Sequence, residues 1–196
     1  MGRIVISSNV TLDGVVQDPD GEEGFERGGW FHRFVTGKDL EAWVARETAE
    51  VLGAEALLLG ARSSEWFASR MLGADVRVSP EWADRVRSLP KYVVSSTLED
   101  PRWSNATILE GDVAKEVSEL KRTVDGDILV YGSYRLVRVL LEQRLADELR
   151  LMIFPVVVGS GRRIFDETGD QQPLHLVDMR KVGDGLMFCA YELVGG

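Results

Sequence analysis

Short apolar, β-branched runs alternate with segments of helical period through most of this chain, and that alternation leaves few folds open. The runs at 3–8, 56–59, 92–95, 127–131 and 149–158 are bounded by Gly, Ser, Asp or Pro, as buried strands are. Helical periodicity spans about 38–52, where Leu40, Trp43, Val44, Glu47 and Val51 share one face. Further helices are expected after Ser79-Pro80, after Asp112, and from near Ser133, where Leu136, Val137, Leu140 and Leu141 face inward. Strands separated by helices favour a largely parallel sheet covered by those helices. Beyond Leu149 three strand-like runs follow with no long helix between them, 149–158, 174–182 and 186–194. The last two are joined by Gly183-Asp184-Gly185, a hairpin connection. The expected fold is α/β: a mostly parallel central sheet flanked by helices, with an antiparallel C-terminal hairpin. Segment 14–37 lacks either pattern and is expected to be a long surface loop.

At 196 residues the chain has the size of a single domain, taken here as 1–196. Acids outnumber bases 32 to 23, and the bases form no run, which argues against binding nucleic acid or an anionic membrane surface. No stretch approaches the roughly 20 apolar residues of a membrane helix, and the N-terminus lacks the pattern of a signal peptide. Cys189 is the only cysteine, so neither an intramolecular disulfide nor a thiolate zinc cluster can form. A cytoplasmic protein is expected. His32 and His175 lie far apart in the sequence, and no metal site is expected.

Three strand ends run into helices or turns through small residues, the place where open α/β sheets bind ligands. The first is Gly60-Ala61-Arg62-Ser63, where glycine admits a ligand to the backbone while arginine and serine suit a phosphate. The second is Ser95-Ser96-Thr97, three hydroxyls in a row. The third is Gly132-Ser133-Tyr134, at the start of a helix whose free N–H groups favour an anion. Each has a plain structural alternative as a turn glycine, a turn hydroxyl or a helix cap. Neither glycine belongs to a Walker or Gly-x-Gly-x-x-Gly pattern.

Together with Ser8-Asn9-Val10-Thr11-Leu12-Asp13-Gly14, Gly29-Trp30, Leu57-Leu58-Leu59-Gly60, Glu65-Trp66-Phe67, Lys91-Tyr92-Val93-Val94-Ser95, Val130-Tyr131-Gly132-Ser133 and Pro155-Val156-Val157-Val158-Gly159-Ser160-Gly161, these segments carry a resemblance. The chain resembles the dihydrofolate-reductase-like superfamily, in the branch of the C-terminal reductase domain of the bacterial bifunctional riboflavin-pathway deaminase–reductase. The resemblance implies NADPH, with NADH as the alternative cofactor, and hydride transfer to a small heterocyclic or carbonyl substrate related to 5-amino-6-(5-phosphoribosylamino)uracil. By position it implies that Gly60, Ala61, Arg62 and Ser63 meet the pyrophosphate and adenosine phosphate, and Ser95, Ser96 and Thr97 the adenosine end. Gly132, Ser133 and Tyr134 would meet the pyrophosphate, and Asp13 and Gly14 would line the nicotinamide. Relatives carry arginine where Ala61 and Ser96 stand; for a 2′-phosphate this leaves Arg62, read here on an extended segment, and the hydroxyls of Ser95, Ser96 and Thr97. A deaminase half is not expected, because one cysteine cannot complete its zinc site. The rival reading is a nucleotide-binding regulatory module that keeps the fold without turnover.

Two carboxylates are candidate proton donors. Asp39 also suits the first turn of its helix, with Thr36 as N-cap. Glu47 sits in an apolar stripe, where a carboxylate must find a partner or lose its charge. Trp30 and Phe31 are candidates to stack on a flat substrate, with loop anchoring as the alternative. Arg162, beside Arg163, is the candidate for a substrate phosphate. Trp43, Trp66 and Trp82 are expected in the core, and a homodimer is expected through the unpaired edge of the C-terminal strands.

Overall fold

The computed structural model of the chain describes residues 1–35, 37–71, 79–165 and 171–194. Strand β1 (Arg3–Thr11) is followed by helix α1 (Trp30–Phe34), helix α2 (Lys38–Leu52), strand β2 (Ala54–Gly60) and helix α3 (Ala61–Met71). Next come α4 (Pro80–Ser88), β3 (Lys91–Val94), β4 (Ala106–Leu109), α5 (Val113–Thr123), β5 (Asp127–Tyr131) and α6 (Tyr134–Glu142). Three strands close the order: β6 (Glu148–Phe154), β7 (Leu174–Val182) and β8 (Leu186–Leu193). The chain gathers into two compact units, one of residues 1–6 and 44–147, the other of residues 7–43 and 148–195.

In the first unit the strand order is β4-β3-β2-β5-β1. β2 runs parallel to both β3 and β5, and β3 parallel to β4. Fully buried Leu57, Leu59 and Leu129 meet Phe67 of α3 and Trp82 and Val86 of α4 in one apolar core. The helices begin where the sequence offers caps. Ser79 Oγ accepts from the N–H of Trp82 at 3.1 Å with Pro80 at the first helical position, and Asp112 accepts from the N–H of Lys115 at 3.0 Å. Lys91, at the start of β3, is fully buried. Its ammonium donates to the carbonyls of Arg87 and Leu89, each at 2.8 Å, and lies 4.3 Å from the centre of the Trp103 ring. Those carbonyls close the C-terminal end of α4, so one cation satisfies acceptors that the helix itself leaves open.

In the second unit β8 pairs antiparallel with β6 on one side and β7 on the other. Trp30 and Phe31 of α1 pack with Met152, Phe154, Val182 and Phe188 in its core. The loop before α1 is built around Asp18, only 2% exposed, whose carboxylate accepts from the N–H groups of Glu23 and Phe25. Burial pushes the pKa of Asp18 up, but its hydrogen bonds outweigh that and hold it below the usual carboxylate value.

The mixed, mostly parallel sheet with antiparallel C-terminal strands agrees with the expected fold class. Several local expectations need correction. The run at 149–158 ends as a strand at Phe154, because Pro155 has no N–H for the ladder and Val156 N turns back to the carbonyl of Phe154 at 2.8 Å. The segment 14–37 contains a five-residue helix, α1, nucleated by burial of its aromatics. β4, too short for a visible period, was not expected. Trp66 is 40% exposed, with the Arg70 guanidinium 4.4 Å from its ring centre, rather than in the core, and Leu40 is also exposed. Thr36, proposed as a helix cap, lies outside the described residues.

Candidate functional site

The parallel register brings the three strand ends of the first unit into one row. Gly60 lies opposite Val94, one residue before Ser95, and Leu57 lies opposite Leu129, three residues before Gly132. Hydrogen bonds tie the ends of β2 and β5 together: Gly60 N donates to Ser133 Oγ at 2.9 Å, Ser133 N to Ser63 Oγ at 2.8 Å, and Ser133 Oγ to the carbonyl of Tyr131 at 3.0 Å. Gly132 and Ser133 both have φ of 56°, a left-handed pair that lets β5 turn at once into α6. A side chain at Gly132 would place its Cβ 3.1 Å from Ser63 Oγ, whereas one at Gly60 would find nothing nearer than Ser133 Oγ at 3.7 Å. Ser95 Oγ accepts from the N–H groups of Thr97 and Leu98, so this hydroxyl organises its own turn, and Ser96 and Thr97 stand exposed beside it. α3 starts directly at Ala61 with no intervening loop. Arg62 is therefore in the first turn of a helix and not on an extended segment, so the alternation argument about its direction does not apply.

The row fits the phosphates of a dinucleotide. Tyr134 opens a nine-residue helix whose first N–H groups have no acceptor within the helix, and the flanking residues at 60 and 132 carry no Cβ to stand in the way.

Glu47 is 9% exposed and Glu50, on the same helix, 5% exposed. Burial raises the pKa of Glu47 well above the usual carboxylate value, and the neighbouring charge of Glu50 raises it further, against the opposing effects of Arg46 and of a hydrogen bond with Tyr131. The Tyr131 hydroxyl donates to Glu50 Oε2 at 3.2 Å, and Arg46 Nη2 lies 3.6 Å from Glu50 Oε1. The sequence signal for this cluster was present as a second acid three residues after Glu47, but the tyrosine comes from a strand far along the chain.

In the second unit, Asp39 Oδ1 accepts from the N–H groups of Asp184 and Gly185 and so clamps the β7–β8 hairpin. Asp13 accepts from Thr11 Oγ1 at 2.7 Å, Gly159 N at 2.8 Å and Val158 N at 3.1 Å, with Arg163 Nη2 at 3.8 Å. Burial would raise its pKa, but these hydrogen bonds together hold it below the usual value. Asp13 and Gly14, the latter with φ of 84°, thus form a turn pinned to the segment after β6. Trp30 is 1% exposed, its Nε1 donates to the carbonyl of Gln17 at 2.9 Å, and its ring meets Phe154 edge-on at 5.2 Å. Phe31 packs on Trp43 and Phe154. Both rings pack in the core of this unit, which is the arrangement of the anchoring alternative. Arg162 lies 3.4 Å from Glu23 and its N–H donates to Gln17. Along β7, Leu176, Val177 and Met179 are 45%, 45% and 61% exposed. Among the described residues no group of three or more His, Cys, Asp or Glu could hold a metal ion, and no helix is long and apolar enough to cross a membrane.

Compared with known proteins, the chain is 27% identical to the uncharacterized protein YyaP of Bacillus subtilis (strain 168), over 98% of this chain and 96% of YyaP. Its fold is similar to that of a "Putative riboflavin biosynthesis protein" from Shewanella sp. PV-4, with a TM-score of 0.74 and 17% identity over 98% of this chain and 99% of the other. It is also similar to RibD of Acinetobacter baumannii, with a TM-score of 0.63 and 14% identity, covering 99% of this chain but 58% of that protein. These structural likenesses concern the fold. Family membership rests on the sequence match, which takes in residues 3–188 and with them every strand end of the row described above: the chain belongs to the family of the RibD C-terminal domain.

Proposed function

We propose that this chain is a pyridine-nucleotide-dependent reductase, with NADPH as cofactor, acting on a small heterocyclic or carbonyl substrate of the type of 5-amino-6-(5-phosphoribosylamino)uracil. The observation that carries the reading is the hydrogen-bonded row Gly60–Ser63–Ser133, in a chain of the RibD C-terminal domain family. The Shewanella and Acinetobacter neighbours, by name a riboflavin biosynthesis protein and RibD, support the choice of substrate class.

In this reading the N–H groups of the first turn of α6 bind the pyrophosphate, with Gly60 and Gly132 leaving room for it. Arg62 and the hydroxyls of Ser96 and Thr97 serve the adenosine end. A bound reduced nicotinamide supplies the hydride. The chain supplies position, exclusion of water and a proton. For the proton, Glu47 is preferred over Asp39, because burial raises the pKa of Glu47 well above the usual carboxylate value while Asp39 is committed to the hairpin. The exposed apolar side chains of β7, the last strand of its sheet, support a homodimer.

Titration with NADPH and NADH, followed by tryptophan fluorescence, tests binding. Oxidation of NADPH on addition of the pyrimidine tests turnover. Saturable quenching with turnover is expected. Binding without oxidation of NADPH by any such substrate would favour a regulatory module, and no binding of either nucleotide would overturn the reading.

A further inference from the structure

The hydrogen bonds that join the ends of β2 and β5 do not reach the third strand end. Among the described residues, Ser95, Ser96 and Thr97 bond within their own turn and, through Ser95 N, to the carbonyl of Leu109 on β4 at 3.2 Å. A tie toward α3 comes from further along the same segment. Buried Trp103 donates from Nε1 to the carbonyl of Ser64 at 3.2 Å, in the first turn of α3 and next to the Ser63 whose hydroxyl accepts from Ser133 N. The start of α3 thus receives one bond from the segment after β5 and one from the segment after β3. The foot of the latter segment is locked as well. The Lys91 ammonium has three protons and three acceptors, the carbonyls of Arg87 and Leu89, each at 2.8 Å, and Asn105 Oδ1 at 3.3 Å. An ammonium only donates, so Asn105 must turn its oxygen to Lys91 and its NH2 to the carbonyls of Arg87, Ser88 and Leu89, at 3.0, 3.2 and 2.9 Å. The Trp103 ring lies over that satisfied cation, 4.3 Å from its centre, which gives the indole N–H a fixed direction.

We propose that Trp103 is a positioning residue that ties segment 95–103 to α3 and so sets Ser96 and Thr97 beside the first turn of that helix, where Arg62 stands, for the adenosine end of the cofactor. The inference rests on and deepens the dinucleotide reading, because it names the group that brings the third strand end into the proposed site. β3 by itself does not fix the turn: Val94 lies opposite Gly60 and is the last residue of the strand. Beyond it Ser96 and Thr97 are exposed, and an exposed turn with few buried contacts samples several orientations unless its far end is held. Trp103 holds that end from a buried position, where water cannot take the place of the carbonyl it bonds. Trp82 offers an internal comparison. It is buried in the same core, and among the described residues its Nε1 has no hydrogen-bond partner, so loss of its N–H removes no tie.

Trp103→Phe keeps a ring over Lys91 and deletes the N–H, and Trp82→Phe deletes the unpaired N–H from the same core. Replacing Trp103 by β-(3-benzothienyl)alanine, which keeps the shape of the indole and lacks its N–H, gives the same reading without a cavity and serves if Trp103→Phe does not fold. Amide hydrogen exchange of Thr97 and Leu98, whose N–H groups donate to Ser95 Oγ, reads the turn. Both amides should exchange at least threefold faster in either Trp103 variant, with Gly60 and Ser133 unchanged, while Trp82→Phe matches the parent at all four. Calorimetric titration with adenosine 2′,5′-bisphosphate, the adenosine end alone, should show affinity about tenfold lower in the Trp103 variants and unchanged in Trp82→Phe. NADPH should lose the same factor, since the loss is confined to the end that the two ligands share. Parent-like exchange or parent-like affinity in the benzothienyl protein, or equal losses in the Trp103 and Trp82 variants, overturns the positioning role. The exchange comparison involves no nucleotide, so a chain that shows it while the parent binds neither ligand refutes the dinucleotide reading and leaves the tie standing.

Discussion

Replacing Gly60 by alanine adds one methyl group to the row of strand ends and should separate stability from nucleotide binding. Gly60 has no left-handed backbone, and the new Cβ would lie in ordinary contact, 3.7 Å from Ser133 Oγ and 3.8 Å from its Cβ. The folded state loses nothing, while the unfolded chain loses freedom, a stabilisation of about 0.4 to 1 kcal/mol. For a chain of this size that raises Tm by roughly 1 to 4 °C. A phosphate oxygen bound at the row must come within about 3 Å of a backbone N–H. A methyl carbon beside it holds the ligand back to about 3.5 to 4 Å. Loss of one hydrogen bond to a charged group, about 1.5 to 3 kcal/mol, weakens NADPH and NADH alike by roughly tenfold to more than a hundredfold. Gly132→Ala is the contrasting variant. At φ of 56° and with Ser63 Oγ 3.1 Å from the new Cβ, it should lose stability as well as binding. Differential scanning calorimetry and fluorescence titration give both quantities. A Gly60→Ala protein that binds as the parent does would show that the row is not the phosphate site, and one that melts lower would show that the packing argument is wrong.

Arg62→Ala should remove most of any preference for NADPH over NADH while leaving NADH affinity within about threefold, as dissociation constants for both nucleotides would show; a single charge-assisted contact is at stake. Equal losses for both would instead mean that Arg62 holds the shared pyrophosphate. The Lys91 ammonium, lowered by burial to a pKa of about 8, binds its proton less tightly in the folded chain than in the unfolded one. Its contribution to stability is therefore least favourable below pH 8 and improves as pH rises toward its unfolded value near 10.5, by no more than about 3 kcal/mol. Urea unfolding of parent and Lys91→Met across that interval should show the rise in the parent alone. Asp39→Ala should lower stability by about 1 to 2 kcal/mol through loss of the hairpin clamp, with the fastest-exchanging amides found at Asp184 and Gly185. Sedimentation should show a dimer at concentrations on the order of tens of micromolar, and Met179→Glu, at a residue 61% exposed on β7, should yield monomers.

Much of the scaffold was legible because it is written in local chemistry. Strands appeared as apolar runs bounded by turn residues, Ser79-Pro80 and Asp112 marked helix starts through capping, and Gly183 with Gly185 marked the final hairpin. That Gly60, Ser95 and Gly132 fall at one edge was also readable, because parallel strands end on the same side of a sheet. Local spacing says which side chains share a face, and it is silent about what covers that face. Only the tertiary structure decided that Trp30, from a glycine-rich segment without a period, is a core residue while Trp66 lies half-open under Arg70. It decided likewise that Arg62 belongs to a helix, that Asp39 clamps a hairpin some 145 positions away, and that Tyr131 reaches across from β5 to Glu50. Periodicity and turn chemistry act over a few residues and survive in the sequence, whereas burial, long-range hydrogen bonds and ion pairs depend on groups that only folding brings together.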